Sequence, residues 1–374
     1  YLAYGDGMIF LAGSTFISAY DASTLTFLWR TTVGGQHSNQ VDGGLNSKGT
    51  TNCFRPIVYS DGYVFCGRNA FKTTSFEVDE NGYNKPAWSI DDEFNWNSGA
   101  IVGDFYYVAS VHTLYAVNIK TGDIADTWQF ASGKNVYTWG GVAYSTETQR
   151  LYWTSYSGAY LYSIKINPET GTLIKGSSPV ADKPCAVTIS QESICTPVIF
   201  NNRVYVVGQS GNVDVLKATP NDQGVLETIY VLNTPEKEKT QSTPILCTKY
   251  ATAENNYTVY LYFQGYTRPA PIYVMEDSAS VTSAGQAKIS ALATPSKSQF
   301  AYEQFAFDNN GRLYFFNESG YLFCFDTLSA MTPEKVTALI NALPAAGQVK
   351  LTDEAQIENE RTAYNSLTDK QKAP

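Results

Sequence analysis

"LYAVNIKTGDIADTW" (residues 114–128) is the stretch whose reading decides the fold. It opens with an apolar strand rich in strand-forming side chains, Leu114, Tyr115, Val117 and Ile119. Thr121-Gly122-Asp123 is turn chemistry, because Gly adopts positive φ without steric cost and Asp bonds its own backbone. The chain then returns as a second strand that ends in Trp128. A hairpin ending in an aromatic plug needs another surface to bury it.

Outward from this hairpin the pattern recurs. Aromatic-rich strands stand at "MIFLA" (8–12), "YVFCG" (63–67), "FYYVA" (105–109), "LYWTS" (151–155), "VYVVG" (204–208), "VYLYF" (259–263) and "LYFFN" (313–317). Turns such as Gly5-Asp6-Gly7, Asp61-Gly62, Asn201-Asn202 and Asn309-Asn310-Gly311 precede them, and these are good hairpin turns. A shorter apolar strand comes before most of the turns, as in "TPVIF" (196–200) and "TPILC" (243–247). A third strand follows, as in "FISAYD" (16–21) or "VDVLKA" (213–218), and a fourth, as in "TFLWRT" (26–31) or "DTWQF" (126–130). Four strands per unit, repeated about seven times, predict a seven-bladed β-propeller of four-stranded antiparallel blades. Each blade packs on neighbours through both faces, so its strands read as nearly continuous apolar runs. Trp29, Trp88 and Trp128 are expected to fill the spaces between blades. The last unit, "EQFAFDNNGRLYFFNESGYLFCFD" (303–326), shows three strands. Its outer strand is expected to come from residues ahead of Tyr1 or to be absent.

These units resemble the quinoprotein-type repeat: a small-residue–Pro strand, a Gly turn, "VYV", a Gly turn, "LYALD", "TG" and a final Trp. The matching pieces are "TPVIFNNRVYVVGQSGNVDVLKA" (196–218) and "GAIVGDFYYVASVHTLYAVNIKTGDIADTW" (99–128), and the resemblance covers residues 1–330. It implies the propeller, a repeat that builds both enzymes and scaffolds. The family's dehydrogenases hold pyrroloquinoline quinone over a Trp floor and, in many, beside a disulfide of adjacent cysteines. They also use an Asp base and Ca²⁺ held by Glu, Asn and Asp. This chain has no adjacent cysteines. "DDEF" (91–94) with Asn95 and Asn97 offers oxygen ligands, but solvated loop acids explain it more simply. The expectation is a chain with no cofactor, no metal and no catalytic residues; a quinone-dependent dehydrogenase and a scaffold in envelope protein assembly are the alternatives.

After Met331 the character changes, and Tyr364 is the one aromatic that follows. Thr332 and Pro333 have the chemistry of an N-cap and first helical position. Val336, Leu339, Ile340 and Leu343 predict one apolar stripe, and Ile357, Arg361 and Tyr364 one face of a second helix. "TDKQ" (368–371) has capping-box spacing for a third. "LINALP" (339–344) and "LTDEAQIENERTAYNSLTDKQK" (351–372) resemble the small helical modules between larger domains of Gram-positive surface proteins. That resemblance implies a partial helical module or linker at 331–374 of a longer protein that is secreted or on the bacterial cell surface. A helical cap on the propeller is the other reading.

Lys and Arg number 26 against 35 Asp and Glu, a net charge of −9. Such a chain repels phosphate backbones, which argues against nucleic acid. No apolar run reaches the roughly 20 residues a membrane helix needs. His37 and His112 are the two histidines and no Cys-x-x-Cys occurs, so neither a zinc site nor a Ser-His-Asp arrangement is expected. Cys53 and Cys66 flank a turn nearly symmetrically; a cross-hairpin disulfide and two buried thiols both suit that spacing. Blade-to-blade links and second-to-third-strand loops share one propeller face. The sequence loads these with the longer segments, including 34–54, 91–98, 131–138, 177–194, 232–242 and 291–302, together with "GRNAFKTT" (67–74) and "FQGYTRPAP" (263–271). Long loops in compact domains are usually functional. Trp96, Tyr137, Tyr156, Tyr266 and Phe300 are candidate stacking surfaces, and Arg68, Asn95, Asn97 and Arg268 candidate polar contacts. Aromatics with amides suit a protein or carbohydrate ligand bound by a monomer.

Overall fold

The computed structural model describes residues 2–12, 16–31, 56–92, 94, 98–132, 138–176, 178–295, 297, 299, 305–309, 311–317, 319–325, 333–365, 367 and 372. The chain forms a seven-bladed β-propeller of antiparallel sheets. Blade 1 comprises Leu2–Gly5, Met8–Ala12, Ile17–Asp21 and Phe27–Arg30; blade 2 comprises Val58–Ser60, Tyr63–Cys66, Asn69–Lys72 and Trp88–Ser89. Blade 3 comprises Ala100–Val102, Phe105–Ala109, Thr113–Asn118 and Ile124–Gln129. Blade 4 has Ala143–Ser145, Arg150–Thr154 and Tyr160–Asn167, with an outer edge in two pieces, Thr172–Leu173 and Cys185–Thr188. Blade 5 comprises Val198–Phe200, Arg203–Val207, Asn212–Lys217 and Thr228–Asn233; blade 6 comprises Ile245–Cys247, Val259–Gln264, Ile272–Asp277 and Lys288–Ala293. Blade 7 shows three strands among the described residues, Ala306–Phe307, Leu313–Phe316 and Leu322–Phe325. By compactness the chain divides into Tyr1–Phe305 with Phe316–Leu322, and Ala306–Phe315 with Phe323–Pro374.

The continuous apolar strands have a direct geometric cause. Side chains alternate across a strand, and here each face meets a different neighbour. In blade 3, Tyr106 and Val108 pack with Phe65 and Ala70 of blade 2. Their neighbours Phe105, Tyr107 and Ala109 pack with Leu151 and Trp153 of blade 4. In blade 5, Val204 and Val206 join Tyr152 and Leu161 of blade 4, while Tyr205 and Val207 join Leu261 and Phe263 of blade 6. Each of the larger of these side chains contributes about 1.5–3 kcal/mol relative to remaining in water. The outer-strand tryptophans bridge forward as the repeat requires. Trp29 Nε1 donates to Thr73 O of blade 2 at 3.1 Å, Trp88 Nε1 to Ile119 O of blade 3 at 3.0 Å, and Trp128 meets Trp153 of blade 4 edge-on at 5.7 Å.

The small residues ahead of each first strand also acquire a reason. Gly141 N–H donates to Thr196 Oγ1 (2.9 Å), and Thr196 N–H donates to Thr243 Oγ1 (3.3 Å). A chain of hydroxyls thus links successive innermost strands of blades 4, 5 and 6. Pro197 and Pro244 follow these threonines at the inner edge, where no ladder partner asks for their missing N–H.

Three readings of the sequence are corrected. "GRNAFKTT" (67–74) is not a loop: Asn69–Lys72 pairs with Tyr63–Cys66 through a two-residue turn, a short strand whose polar ends hid it. Within 177–194, Cys185–Thr188 pairs with Tyr160–Ser163 as an outer-edge strand. In the tail, helix α1 (Pro333–Asn341) and helix α2 (Glu354–Asn365) form, but their buried surface differs from the one expected. Val336 meets Ala363 and Leu367, while Leu339, Ile340 and Tyr364 stay exposed. Glu360 also turns inward and accepts from Gln356 Nε2 at 3.2 Å, so the packed face of α2, with Glu360, Ala363 and Leu367, is rotated by about one residue position from the one expected. The "TDKQ" segment and Thr332 lie outside the described residues.

Candidate binding surface

Strand direction alternates along each blade, so second-to-third-strand loops and blade-to-blade links emerge on one face. On the other face several first-to-second-strand connections are two-residue turns, while longer connections (73–87, 218–227, 248–258 and 278–287) also emerge there. Asn201 and Asn202 both have positive φ (48° and 55°), the geometry of a two-residue hairpin turn. A smaller cleft of about 320 Å³ opens beside this turn, lined by Glu147, Arg150, Lys165, Asp182, Asn202 and Thr219.

On the loop-bearing face a cleft of about 600 Å³ opens between blades 5 and 6. One wall is the link "TPEKEKT" (234–240). Thr234 Oγ1 accepts Glu238 N–H at 3.0 Å, Thr234 N–H donates to Gly211 O at 2.7 Å, and Thr240 N–H donates to Gly208 O at 2.9 Å, which pins the link on the blade 5 hairpin. The other wall is the blade 6 loop that carries Tyr266, Thr267, Pro269 and Pro271. Glu238 is 6% exposed. Its carboxylate accepts Thr267 N–H and, at 3.1 Å, the Tyr273 hydroxyl. Burial, then the nearby Glu238, push the Tyr273 hydroxyl pKa up, so it remains a donor. Lys239 Nζ lies 3.9 Å from the centre of the Tyr266 ring.

Gly265 makes this arrangement possible, because a β-carbon there would collide with the Glu238 carboxylate. Gly265→Ala is expected to eject that carboxylate, strand the buried Tyr273 hydroxyl and lower stability by about 1–3 kcal/mol. The midpoint of urea unfolding measures it.

Of the residues expected to bind, Tyr266 and Arg268 share the blade 6 loop, with Arg268 exposed at its tip. Tyr156, in the blade 4 loop, stacks on Trp139 with centres 4.7 Å apart and planes at 8°. Trp139 was not singled out in the sequence; its position just before Gly140-Gly141, at the mouth of a first strand, is the signal. Arg68 is turned to a structural contact, its Nη1 donating to Asp92 O at 3.0 Å in the link between blades 2 and 3. Asn95, Trp96, Asn97, Tyr137 and Phe300 lie outside the described residues, as do His37 and Cys53. The Cys53–Cys66 pairing therefore lies outside them too; Cys66 is wholly buried between blades 1 and 2. Burial pushes the Cys195 thiol up to about 12, which keeps it protonated and unreactive at neutral pH.

Among the described residues no group of three or more His, Cys, Asp or Glu is placed to hold a metal ion. Among them, too, no helix is long and apolar enough to cross a membrane.

A buried carboxylate organises the link between blades 4 and 5. Asp214, with no exposed surface, accepts Ser190 N–H and Oγ–H, each at 2.8 Å, and Gln191 Nε2–H at 3.1 Å. No cation pairs with it among the described residues, and burial raises its pKa. A carboxyl raised in the folded state favours folding most below its unfolded value, and that contribution is lost as pH rises through the folded value. Asp214→Asn is therefore expected to gain stability relative to wild type as pH climbs from about 4 toward 7. Thermal midpoints of both proteins across that range check it; a gap that widens in favour of wild type would contradict it.

No family model matches the chain, and no curated protein matches it. Among solved structures, it is similar to the computationally designed Ika8 protein at 14% identity, covering 87% of this chain and 95% of that one, with a TM-score of 0.44. It is also similar to BamB from Moraxella catarrhalis at 12% identity, covering 88% of this chain and 94% of that one, with a TM-score of 0.44.

Proposed function

We propose that this chain is a non-catalytic recognition module that binds a protein or a glycan through the loop-bearing face of its propeller. The observation that carries the reading is the contrast between the two faces. One has the cleft walled by 234–240 and the blade 6 loop, with the Trp139–Tyr156 stack on neighbouring loops. The other has a smaller cleft of about 320 Å³ whose lining of charged and polar side chains includes no aromatic ring. Aromatic and arginine side chains at such a surface are the types that anchor interfaces. The likeness of 99–128 and 196–218 to quinoprotein-type repeats supports a repeat of that kind used as a scaffold for loops. The likeness of the tail to helical modules of Gram-positive surface proteins supports a secreted or cell-surface location, and the module acts as a monomer.

The test is a glycan array and a panel of purified extracellular proteins, probed with the full chain. Tyr156→Ala and Arg268→Ala are expected to weaken a specific binder by roughly 2 kcal/mol where either residue is an anchor. Glu147→Ala and Thr219→Ala, on the short-turn face, are expected to leave binding unchanged. The reverse pattern would refute the assignment of faces.

A further inference from the structure

We infer that the cleft between blades 5 and 6 receives a positively charged side chain, a lysine or arginine of a basic partner protein, in the place Lys239 now holds. This rests on the recognition reading above and narrows it to one pocket and one partner chemistry.

Four observations converge on it. First, the face of Tyr266 already holds a cation, the Lys239 ammonium at 3.9 Å from the ring centre. An aromatic face attracts cations within about 6 Å through its quadrupole. Lys239 stands on a flexible stem and forms no ion pair among the described residues, so it can leave. Second, Glu238 is a buried carboxylate that, among the described residues, accepts from two neutral donors, the Thr267 amide and the Tyr273 hydroxyl. A buried charge without a counter-charge is costly, and an incoming cation would relieve that cost. Glu236 adds a second carboxylate to the lining, which also holds a second lysine, the exposed Lys237. Third, Pro269 and Pro271 line the same cleft and can cover the aliphatic stem of a lysine or arginine while its head reaches the acids. Fourth, the chain as a whole carries a net charge of −9, which draws a basic partner toward it and speeds encounter. An anionic ligand would meet the buried Glu238 and the electron-rich ring face, so the acidic alternative is disfavoured.

The test uses the full chain and four capped pentapeptides of glycine, with arginine, lysine, citrulline or glutamate at the centre. Binding is followed by NMR through the methyl groups of Thr267, Ala291 and Thr294, which line the cleft. The arginine and lysine peptides are expected to shift these methyls, more weakly at higher salt, and the citrulline and glutamate peptides are not. Lys239→Gln removes the competing ammonium and is expected to tighten arginine binding about threefold to fivefold, the order of an exposed cation–π contact. Tyr266→Leu is expected to weaken it by a similar factor. Lys239 is partly exposed and its replacement leaves the fold intact, so that variant decides the matter even if Tyr266→Leu misfolds. Citrulline binding as well as arginine, binding of the glutamate peptide alone, or a Lys239→Gln variant that binds no better overturns the inference. If the cationic peptides leave the methyls unmoved while Arg268→Ala still abolishes binding of a panel ligand, this inference falls and the recognition reading stands. If short-turn variants alone abolish binding, the recognition reading falls with it.

Discussion

Asp277→Ala is expected to destabilise the protein by about 3–5 kcal/mol, the range for removing one partner of a buried ion pair. Asp277 is 1% exposed at the end of the third strand of blade 6. Arg203 Nη1 approaches its Oδ2 at 3.2 Å, the Tyr205 hydroxyl donates to Oδ2 at 2.7 Å, and the Tyr230 hydroxyl donates to Oδ1 at 2.6 Å. Arg203 Nη2 also donates to Val281 O at 2.7 Å and Ala279 O at 3.2 Å. Burial, then the neighbouring carboxylate, push both tyrosine pKa values well up, so both phenols stay protonated donors. Truncation would leave a buried guanidinium and two buried hydroxyls short of an acceptor. Asp277→Asn, which keeps one acceptor oxygen, should lose less. The loss should appear as a fall in thermal midpoint on the order of 10 °C. A shift below about 1 kcal/mol would mean that the clasp between blades 5 and 6 contributes little. Because it lies at the short-turn end of that interface, a folded Asp277→Asn should retain the binding cleft.

Gly211→Val is expected to cost roughly 3 kcal/mol or more and to dismantle the cleft as well. Gly211 has φ +71°, and a β-carbon there would sit within the backbone of Lys237 and Glu238. Backbone, unlike a side-chain tip, cannot swing aside. The variant combines left-handed strain, about 1–3 kcal/mol for a non-glycine residue, with overpacking of similar size. It would also displace the link that positions Glu238 and Lys239. Gly82→Val separates the two effects: Gly82 has φ +78° with nothing within 4 Å of its built β-carbon, so it suffers strain alone. Chemical denaturation of the two variants should show Gly211→Val the more destabilised, and only it should lose the arginine peptide. Equal losses would mean that the close approach to the link is unimportant.

The propeller was legible because its signals are local and repeated. The Asn201-Asn202 and Asp61-Gly62 turns dictate their hairpins, and apolar residues on both faces of "FYYVA" can be satisfied only by a neighbour on each side. Asn69–Lys72 was missed because its end residues are polar: Asn69 is buried by packing that the sequence does not display, and Lys72 is exposed. Trp139 escaped notice because its stack with Tyr156 joins two loops about 17 residues apart. The cleft was half legible. Tyr266 stood out by type, as did Arg268 on the same loop outside the cleft lining, whereas Glu238 and Lys239 looked like members of an ordinary solvated Glu-Lys run. Only the close approach at Gly265 and the pinning of 234–240 on the blade 5 hairpin turn Glu238 inward. The tail's packed face failed for a related reason: hydropathy favoured Leu339 and Ile340, while the contact between α1 and α2 selects small Ala363.

Amide hydrogen exchange on the complex with the strongest binder from the array and panel tests the central claim most directly. The account predicts new protection in 234–240, 265–271 and 155–159, on the loop-bearing face, with the turns at 61–62 and 201–202 exchanging as they do in the free protein. Protection confined to those short turns, with the loops unchanged, would contradict it.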